Sequence, residues 1–372
     1  MSDISAPTPS SEVRIRVEGR AGRITLDRPK ALNALTLDMV RAIWEALLAW
    51  RDDPAVELII LDGAGERGLC AGGDVRSLYD AHTEGSGFAR TVWREEYRLN
   101  ALIHRYPKPF IALMDGIVMG GGIGLSAHAQ GGTRIVTERS RIAFPETTIG
   151  LIPDVGGTWL LSRAPGQTGL YLALMGTQMG AADAIYAGFA DHCVASASLP
   201  ALIDRLGASS DTPATIVSSH ATDPGPSPLA GSLAANLAKF FAFDHLEAIS
   251  AALDLDGTSE FAARTREALI ARSPLALKAT LEAIRRARAY MSLEQALTVE
   301  FRLCTHLYEA GEFIEGVRAL IVDKDRAPKW SRPTHAAVTP ADIEALFAPF
   351  PATEEPFGAL NGEARLPPIR GL

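Results

Sequence analysis

Arg141-Ile-Ala-Phe-Pro-Glu-Thr-Thr-Ile-Gly-Leu-Ile-Pro-Asp-Val-Gly-Gly157 holds two carboxylates, Glu146 and Asp154, in a run that is otherwise apolar, small or turn-forming. A proline stands directly before each acid (Pro145 and Pro153), which argues against one helix across both and for a rigid, irregular loop. Carboxyl groups held in apolar surroundings have raised pKa values, and such pairs are how proteins build acids, bases and nucleophiles. A plainer reading stays open: Glu146 caps one helix and Asp154 caps the next, beginning near Val155-Gly-Gly157.

Upstream of this loop, short strands followed by a helix recur. Val13–Val17 and Gly22–Leu26 alternate apolar and polar residues, as a strand pair does, and Thr36 is placed to cap a helix running to about Trp50. Val56–Leu61 and Phe110–Met114 read as buried strands. Each is followed by a glycine-rich turn into a helix: Cys70-Ala-Gly-Gly-Asp74 after the first, Met119-Gly-Gly-Gly-Ile-Gly124 after the second. Stacked glycines at a helix start leave backbone N–H groups uncovered, so an anionic oxygen can approach there; two such loops could each supply one donor to an oxyanion hole. Close packing of helix on strand accounts for either loop taken singly. Beyond about residue 195 the chain turns helical and alanine-rich, with residues 209–228, dense in Ser, Thr, Asp and Pro, reading as a loop or boundary.

Composition bounds the function. A hydrophobic fraction of 47% with 22% charged residues is ordinary for a globular protein, and the net charge of −8 argues against nucleic acid as a partner. Three scattered cysteines, Cys70, Cys193 and Cys304, give no disulfide framework and point to reduced, buried thiols. No apolar run approaches the ~20 residues of a membrane span. The first eleven residues have neither a cationic n-region nor an apolar core, and few arginines, so a cytoplasmic location is expected. The eight histidines show no metal spacing, so no metal is expected, and His128 and His192 read as structural. Gly122-Ile-Gly-Leu-Ser-Ala127 matches a dinucleotide fingerprint, but no opening βαβ unit precedes it. Glu95 and Glu96 sit in a helical segment where surface carboxylates are commonplace.

Taken together, Arg28-Pro-Lys-Ala-Leu-Asn-Ala-Leu35, Cys70-Ala-Gly-Gly-Asp-Val-Arg76, Met119–Leu125, Pro145-Glu-Thr147, Pro153-Asp-Val-Gly-Gly157 and Glu315-Gly-Val-Arg-Ala319 resemble the crotonase (enoyl-CoA hydratase/isomerase) superfamily. Within it they are most similar to the 3-hydroxyisobutyryl-CoA hydrolase branch. The resemblance implies an α/β fold, a crotonase-like spiral of ββα turns with a helical C-terminal region that often mediates trimer or hexamer contacts. The division it suggests is a disordered tail over residues 1–12, the spiral core over 13–207 and the helical region over 208–372.

It also implies an acyl-CoA substrate, with coenzyme A as part of that substrate and no separate cofactor. The thioester carbonyl would be polarised by the backbone N–H groups of Gly73 and Gly121. Hydratases of the superfamily carry one glutamate just after the glycine triplet and another in the Pro-Glu loop. Here Gly124 stands at the first position and Glu146 at the second, while Asp154 replaces a glycine usual in hydratases. The resemblance thus implies hydrolysis of a short-chain 3-hydroxyacyl-CoA, as in valine catabolism. Glu146 would be the nucleophile or the base activating water, and Asp154 would orient the water or the substrate hydroxyl. It lifts Glu96 to a ligand-approaching residue and leaves Lys30, Arg28 and Lys324 as weak candidates for the CoA phosphates. The alternatives are an enoyl-CoA hydratase or isomerase using Glu146 as its sole acid/base, or a non-catalytic CoA-binding or assembly protein.

Overall fold

The computed structural model describes residues 11–83, 87–130 and 133–358; most of the tail expected over residues 1–12 lies outside the described residues. Glu12 is held: its carbonyl accepts from the Asp27 amide at 2.7 Å, and its carboxylate pairs with Arg28 at 2.9 Å.

The chain opens with an antiparallel hairpin, β1 (Val13–Glu18) and β2 (Ala21–Leu26), turning through Gly19 at φ +60°. The Thr36 hydroxyl then caps α1 (Leu37–Arg51) by accepting from the Met39 amide. Three turns follow in which two consecutive strands enter two different sheets: β3 (Leu58–Gly63) with β4 (Gly68–Cys70), β5 (Phe110–Met114) with β6 (Ile117–Met119), and β7 (Arg134–Val136) with β8 (Arg141–Ala143). Helices α2 (Val75–Thr83) and α3 (Phe88–His104) follow the first turn, and α4 (Gly121–Ser126) follows the second. Among the described residues, one sheet runs β1-β2-β3-β5-β7 and continues through β9 (His192–Val194) to β10 (Ala221–Thr222); the other is β4-β6-β8, all parallel. Stacking these turns makes the spiral.

The buried strands read as continuous apolar runs because both faces of the large sheet are covered. Ile59, Leu61, Phe110, Ala112 and Met114 face the main core. Their neighbours Leu58, Ile60, Ile111 and Leu113 face a second layer made by α8 (Leu199–Ala208) and α9 (Pro213–His220). The segment 209–228, expected as a loop or boundary, therefore contains a helix whose Ile216 and Val217 pack on the sheet, and a strand that extends it. The division drawn at residue 207 falls inside this layer, which closes near residue 222.

After β8 come a short 3-10 turn, Glu146–Ile149, and then α5 (Gly157–Leu161), α6 (Thr168–Met175) and α7 (Ala181–Tyr186). The C-terminal helices are α10 (Ala234–Phe240), α11 (Leu246–Leu255), α12 (Glu260–Ala271), α13 (Pro274–Ala287), α14 (Leu293–Glu309), α15 (Glu312–Val317) and α16 (Pro340–Leu346). Two of them brace the acidic loop. Helix α14 packs on α3 and α5, and α15 lies directly against the Glu146 turn. There a Cβ on Gly316 would sit 2.3 Å from the Ile149 carbonyl carbon, and one on Gly150 would sit 2.4 Å from the Glu312 oxygen.

Backbone meets backbone at that contact, so neither side can yield cheaply. In an open helix Gly→Ala gains up to ~1 kcal/mol from propensity. At position 316 the overlap reverses the sign, and we predict that Gly316→Ala costs about 1–3 kcal/mol or more. The urea midpoint should fall with the m-value unchanged; an unchanged or higher midpoint would show that α15 is not wedged on the Glu146 turn.

Candidate active site

The two acids of the opening loop are not helix caps. Pro145, not Glu146, is the N-cap of the 3-10 turn, and Gly156, not Asp154, is the N-cap of α5. Their side chains are therefore left for other work, and both line one cavity of about 850 Å³ of empty space, counting its open mouth. Gly73, Gly121 and Glu96 line the same cavity, with an apolar wall that includes Leu78, Val92, Trp93 and Phe313. Five separated stretches of sequence thus converge on one place.

The glycines make room for the acids. A Cβ on Gly120, whose φ is +45°, would lie 2.7 Å from Glu146 Oε1. One on Gly121 would lie 2.6 Å from Glu96 Oε1 and 3.3 Å from the Gly73 nitrogen. The amide of Gly73 and the start of α4 are therefore neighbours, and the first N–H groups of a helix have no acceptor within it. Glu96 Oε1 and Glu146 Oε2 are buried without a hydrogen-bond partner. Buried carboxyl oxygens are normally paired, so two orphaned ones on one cavity mark a place for a ligand.

Burial raises Glu96 to about 8, helped by the charge of Asp154. Burial and then Asp154 raise Glu146 well above the usual carboxylate range. Asp154 is raised by burial to about 6, while hydrogen bonds from Tyr97 and Cys304 pull the other way. The Tyr97 hydroxyl donates to Asp154 Oδ2 at 2.7 Å, and Cys304 Sγ lies 3.5 Å from that hydroxyl.

The rest of the Asp154 loop is held just as closely. Val155 adopts φ +52°, and its carbonyl accepts from His128 Nε2 at 2.7 Å. Burial lowers the His128 pKa to about 3, which leaves a neutral ring with one N–H to give. Glu300, from α14, accepts from the Gly156 amide at 2.6 Å and the Thr158 amide at 2.8 Å, and from the Thr158 hydroxyl. Sequence reasoning did not single out Tyr97, Glu300 or Cys304. The one available signal was position: Glu300 and Cys304 occupy the apolar stripe of α14 together with Leu297, Phe301, Leu307 and Tyr308, where a charged residue is out of place.

Gly124 faces no open space. A Cβ there would meet Val155 Cβ at 2.7 Å and Asn100 Nδ2 at 2.9 Å. Ser126 returns its hydroxyl to the Gly122 carbonyl at 2.7 Å. Glu95, beside Glu96, points the other way and forms a two-bond pair with Arg41 of α1. The three proposed phosphate cations do not line the cavity. Arg28 is engaged by Glu12, by Asp74 at 3.1 Å and by the Ala34 carbonyl, while Lys30 and Lys324 are exposed. The three cysteines are buried free thiols. Among the described residues no group of three or more His, Cys, Asp or Glu could hold a metal ion, and no helix is long and apolar enough to cross a membrane.

Residues 21–347 match the sequence profile of the enoyl-CoA hydratase/isomerase family. A 3-hydroxyisobutyryl-CoA hydrolase, mitochondrial, of Xenopus tropicalis is 42% identical over 338 residues, covering 88% of this chain and 86% of that protein. The protein of the same name from Homo sapiens is 39% identical over 346 residues, covering 91% and 89%. Two solved structures superpose closely. One, described as a carnitinyl-CoA dehydratase from Mycobacterium thermoresistibile, has a TM-score of 0.87 at 44% identity, covering 92% of this chain and 97% of that one. The other, described as an enoyl-CoA hydratase from Rhodobacter sphaeroides 2.4.1, has a TM-score of 0.85 at 44% identity, covering 93% and 99%.

The buried acids carry a pH signature. Glu96 binds its proton more tightly folded (about 8) than unfolded (4.5), so its contribution to stability is full below the unfolded pKa and is lost as pH rises through the folded one. Glutamine at 96 stays neutral and escapes that loss. The melting temperature of Glu96→Gln should therefore match the unmodified protein near pH 4.5 and exceed it increasingly towards pH 8. A difference that does not change with pH would mean that Glu96 ionises as readily in the folded protein as in the unfolded chain.

Proposed function

The chain belongs to the enoyl-CoA hydratase/isomerase family, and from that premise we propose that it hydrolyses a short-chain 3-hydroxyacyl-CoA thioester, of the 3-hydroxyisobutyryl-CoA kind, to the hydroxy acid and free CoA. The observation that carries this reading is the pairing of Glu146 with Asp154 on a cavity where the Gly124 position is backfilled by Val155 and Asn100. Hydration of a double bond, in the hydratase pattern, uses a second glutamate just after the glycine triplet. Such a side chain is absent here, and the space it would take is occupied.

Attack on the thioester carbonyl gathers negative charge on its oxygen. In this reading the N–H groups of Gly73 and Gly121 receive that oxygen, and losing one such donor typically costs ~3 kcal/mol. Glu146, made strongly basic by burial, either attacks the carbonyl itself or takes a proton from an attacking water. The C–S bond breaks as the oxyanion collapses, and CoA leaves as the thiolate; where Glu146 itself has attacked, the acyl group is left as a Glu146 anhydride, which water then cleaves to the hydroxy acid and the free carboxylate. Asp154 holds the attacking water or the substrate β-hydroxyl, and Glu96 contacts the acyl group or the thioester. No resident cofactor or metal is needed. The reading includes a homo-oligomer, a cytoplasmic location, and neither nucleic acid nor membrane as partner.

Enoyl-CoA hydration or dehydration is the second reading, favoured by the names of the two superposable structures. Incubation with 3-hydroxyisobutyryl-CoA, 3-hydroxypropionyl-CoA and crotonyl-CoA, following free thiol and enoyl absorbance separately, decides between them. Thiol release from the hydroxyacyl esters is expected. Loss of enoyl absorbance from crotonyl-CoA without thiol would establish the second reading.

Two substitutions test the roles. Glu146→Gln should lower kcat by roughly 10²-fold or more while CoA-ester binding holds and the melting temperature does not fall; full activity would remove Glu146 from the chemistry. Asp154→Gly should cut kcat/KM for 3-hydroxyisobutyryl-CoA much more than for isobutyryl-CoA, because a buried carboxylate facing the hydroxyl is what discriminates the two. Equal losses on both substrates would assign Asp154 to the water or to the fold.

A further inference from the structure

We propose that Glu300, in the C-terminal helical region, is a positioning residue for the reaction: through the Gly156 and Thr158 amides it fixes the backbone that aims Asp154 into the cavity. Glu300 is fully buried on α14 and does not line the cavity, so it touches no substrate. Its two oxygens are spent on the chain just past Asp154, one on the Gly156 amide at 2.6 Å, the other on the Thr158 amide at 2.8 Å and the Thr158 hydroxyl. These are the first N–H groups of α5, which no acceptor within that helix can satisfy. A buried carboxylate is a costly way to cap them when a serine or threonine would serve.

What the carboxylate holds is a conformation that the local sequence resists. Val155 is β-branched and sits at φ +52°, in the left-handed region where a branched Cβ is disfavoured. Such a residue persists only when its surroundings over-determine it. Here they do so from both sides: His128 holds the Val155 carbonyl, and Glu300 holds the next amide. Gly156 at φ +82° has no room for a side chain, since its Cβ would lie 2.3 Å from His128 Nε2. The strained turn has two results. It presents the Asp154 carboxylate to the Tyr97 hydroxyl and the cavity, and it pushes the Val155 side chain against Gly124. One turn further along α14, Cys304 lies against the same Tyr97 hydroxyl, so a single helix face sets both the backbone and the side-chain partner of Asp154.

A double-mutant cycle tests whether Glu300 acts through Asp154. Glu300→Gln keeps the size but turns an N–H₂ toward one of the donors, so the turn loses its hold on one amide. Misplacing a reacting group by about 1 Å can cost ~10²-fold, so kcat/KM on 3-hydroxyisobutyryl-CoA should fall by about 10- to 100-fold with KM changed little. In the Asp154→Gly background the same substitution should cost less than about 2-fold, because nothing is left for it to aim; non-additivity of this size is the mark of residues acting as one unit. A milder variant, Thr158→Val, removes only the hydroxyl donor and should show the same pattern at about 3- to 10-fold, which keeps the test open should Glu300→Gln fold poorly. Equal fold-losses in both backgrounds, or no loss in either, would overturn the proposal and leave Glu300 as a part of the fold alone. The inference rests on the hydrolase reading only for its substrate. Should the unmodified protein hydrate crotonyl-CoA instead, that reading fails in the unmodified protein, and the cycle is read on hydration with the same two outcomes.

Discussion

The structure turns on burying four carboxyl groups, Glu96, Glu146, Asp154 and Glu300, in one region where, among the described residues, none forms an ion pair with a cation. A charged group taken out of water without a counter-ion costs several kcal/mol, and the usual escape is to keep its proton. All four are pushed upward by burial, and the charge of Asp154 pushes the other three further. Burial and their mutual repulsion favour the protonated forms, and the same burial makes Glu146 a strong base once its proton is gone. The surrounding construction exists to keep these groups in place: glycines that yield their Cβ space to carboxylates, a tyrosine and a cysteine on Asp154, and a strained turn pinned at both ends.

The C-terminal helices belong to the site as much as the spiral does. The spiral sets Gly73 and Gly121 side by side because successive turns stack in register, β4 beside β6 and β6 beside β8. It does not by itself hold the loop after β8, whose length and two prolines leave it without a regular partner strand. Helix α15 presses on the Glu146 half of that loop through bare backbone at Gly316 and Gly150, and α14 grips the Asp154 half through Glu300. One element supports each acid.

The curated sequence relatives are named hydrolases, while the two superposable structures carry dehydratase and hydratase names at similar identity. With Val155 and Asn100 packed on Gly124, the cavity has Glu96, Glu146 and Asp154 on its wall and no acid just after the glycine triplet. Asp154 adds a polar group suited to a water or a hydroxyl. Two neighbouring residues on one turn thus bear on which reaction the shared fold supports.

The sequence by itself determined the repeating strand-and-helix order, the two glycine loops, the acidic loop and the family, because each is a local pattern: alternation in β1 and β2, the Thr36 cap, apolar runs at β3 and β5, prolines before each acid. It misread residues 209–228, where polar composition hid a helix whose Ile216 and Val217 are buried only because a sheet face lies opposite. It offered Arg28, Lys30 and Lys324 as phosphate cations, since charge can be counted along a chain but its partners cannot; Arg28 is engaged by Glu12 and Asp74. Only the tertiary structure decided that neither Glu146 nor Asp154 is a cap, that Val155 fills the place beside Gly124, and that Glu300, nearly 150 residues away along the chain, holds the turn just past Asp154. Those facts depend on which groups meet across the fold and on how much water is left around them, and a buried carboxylate differs from a solvated one in surroundings that no stretch of sequence contains.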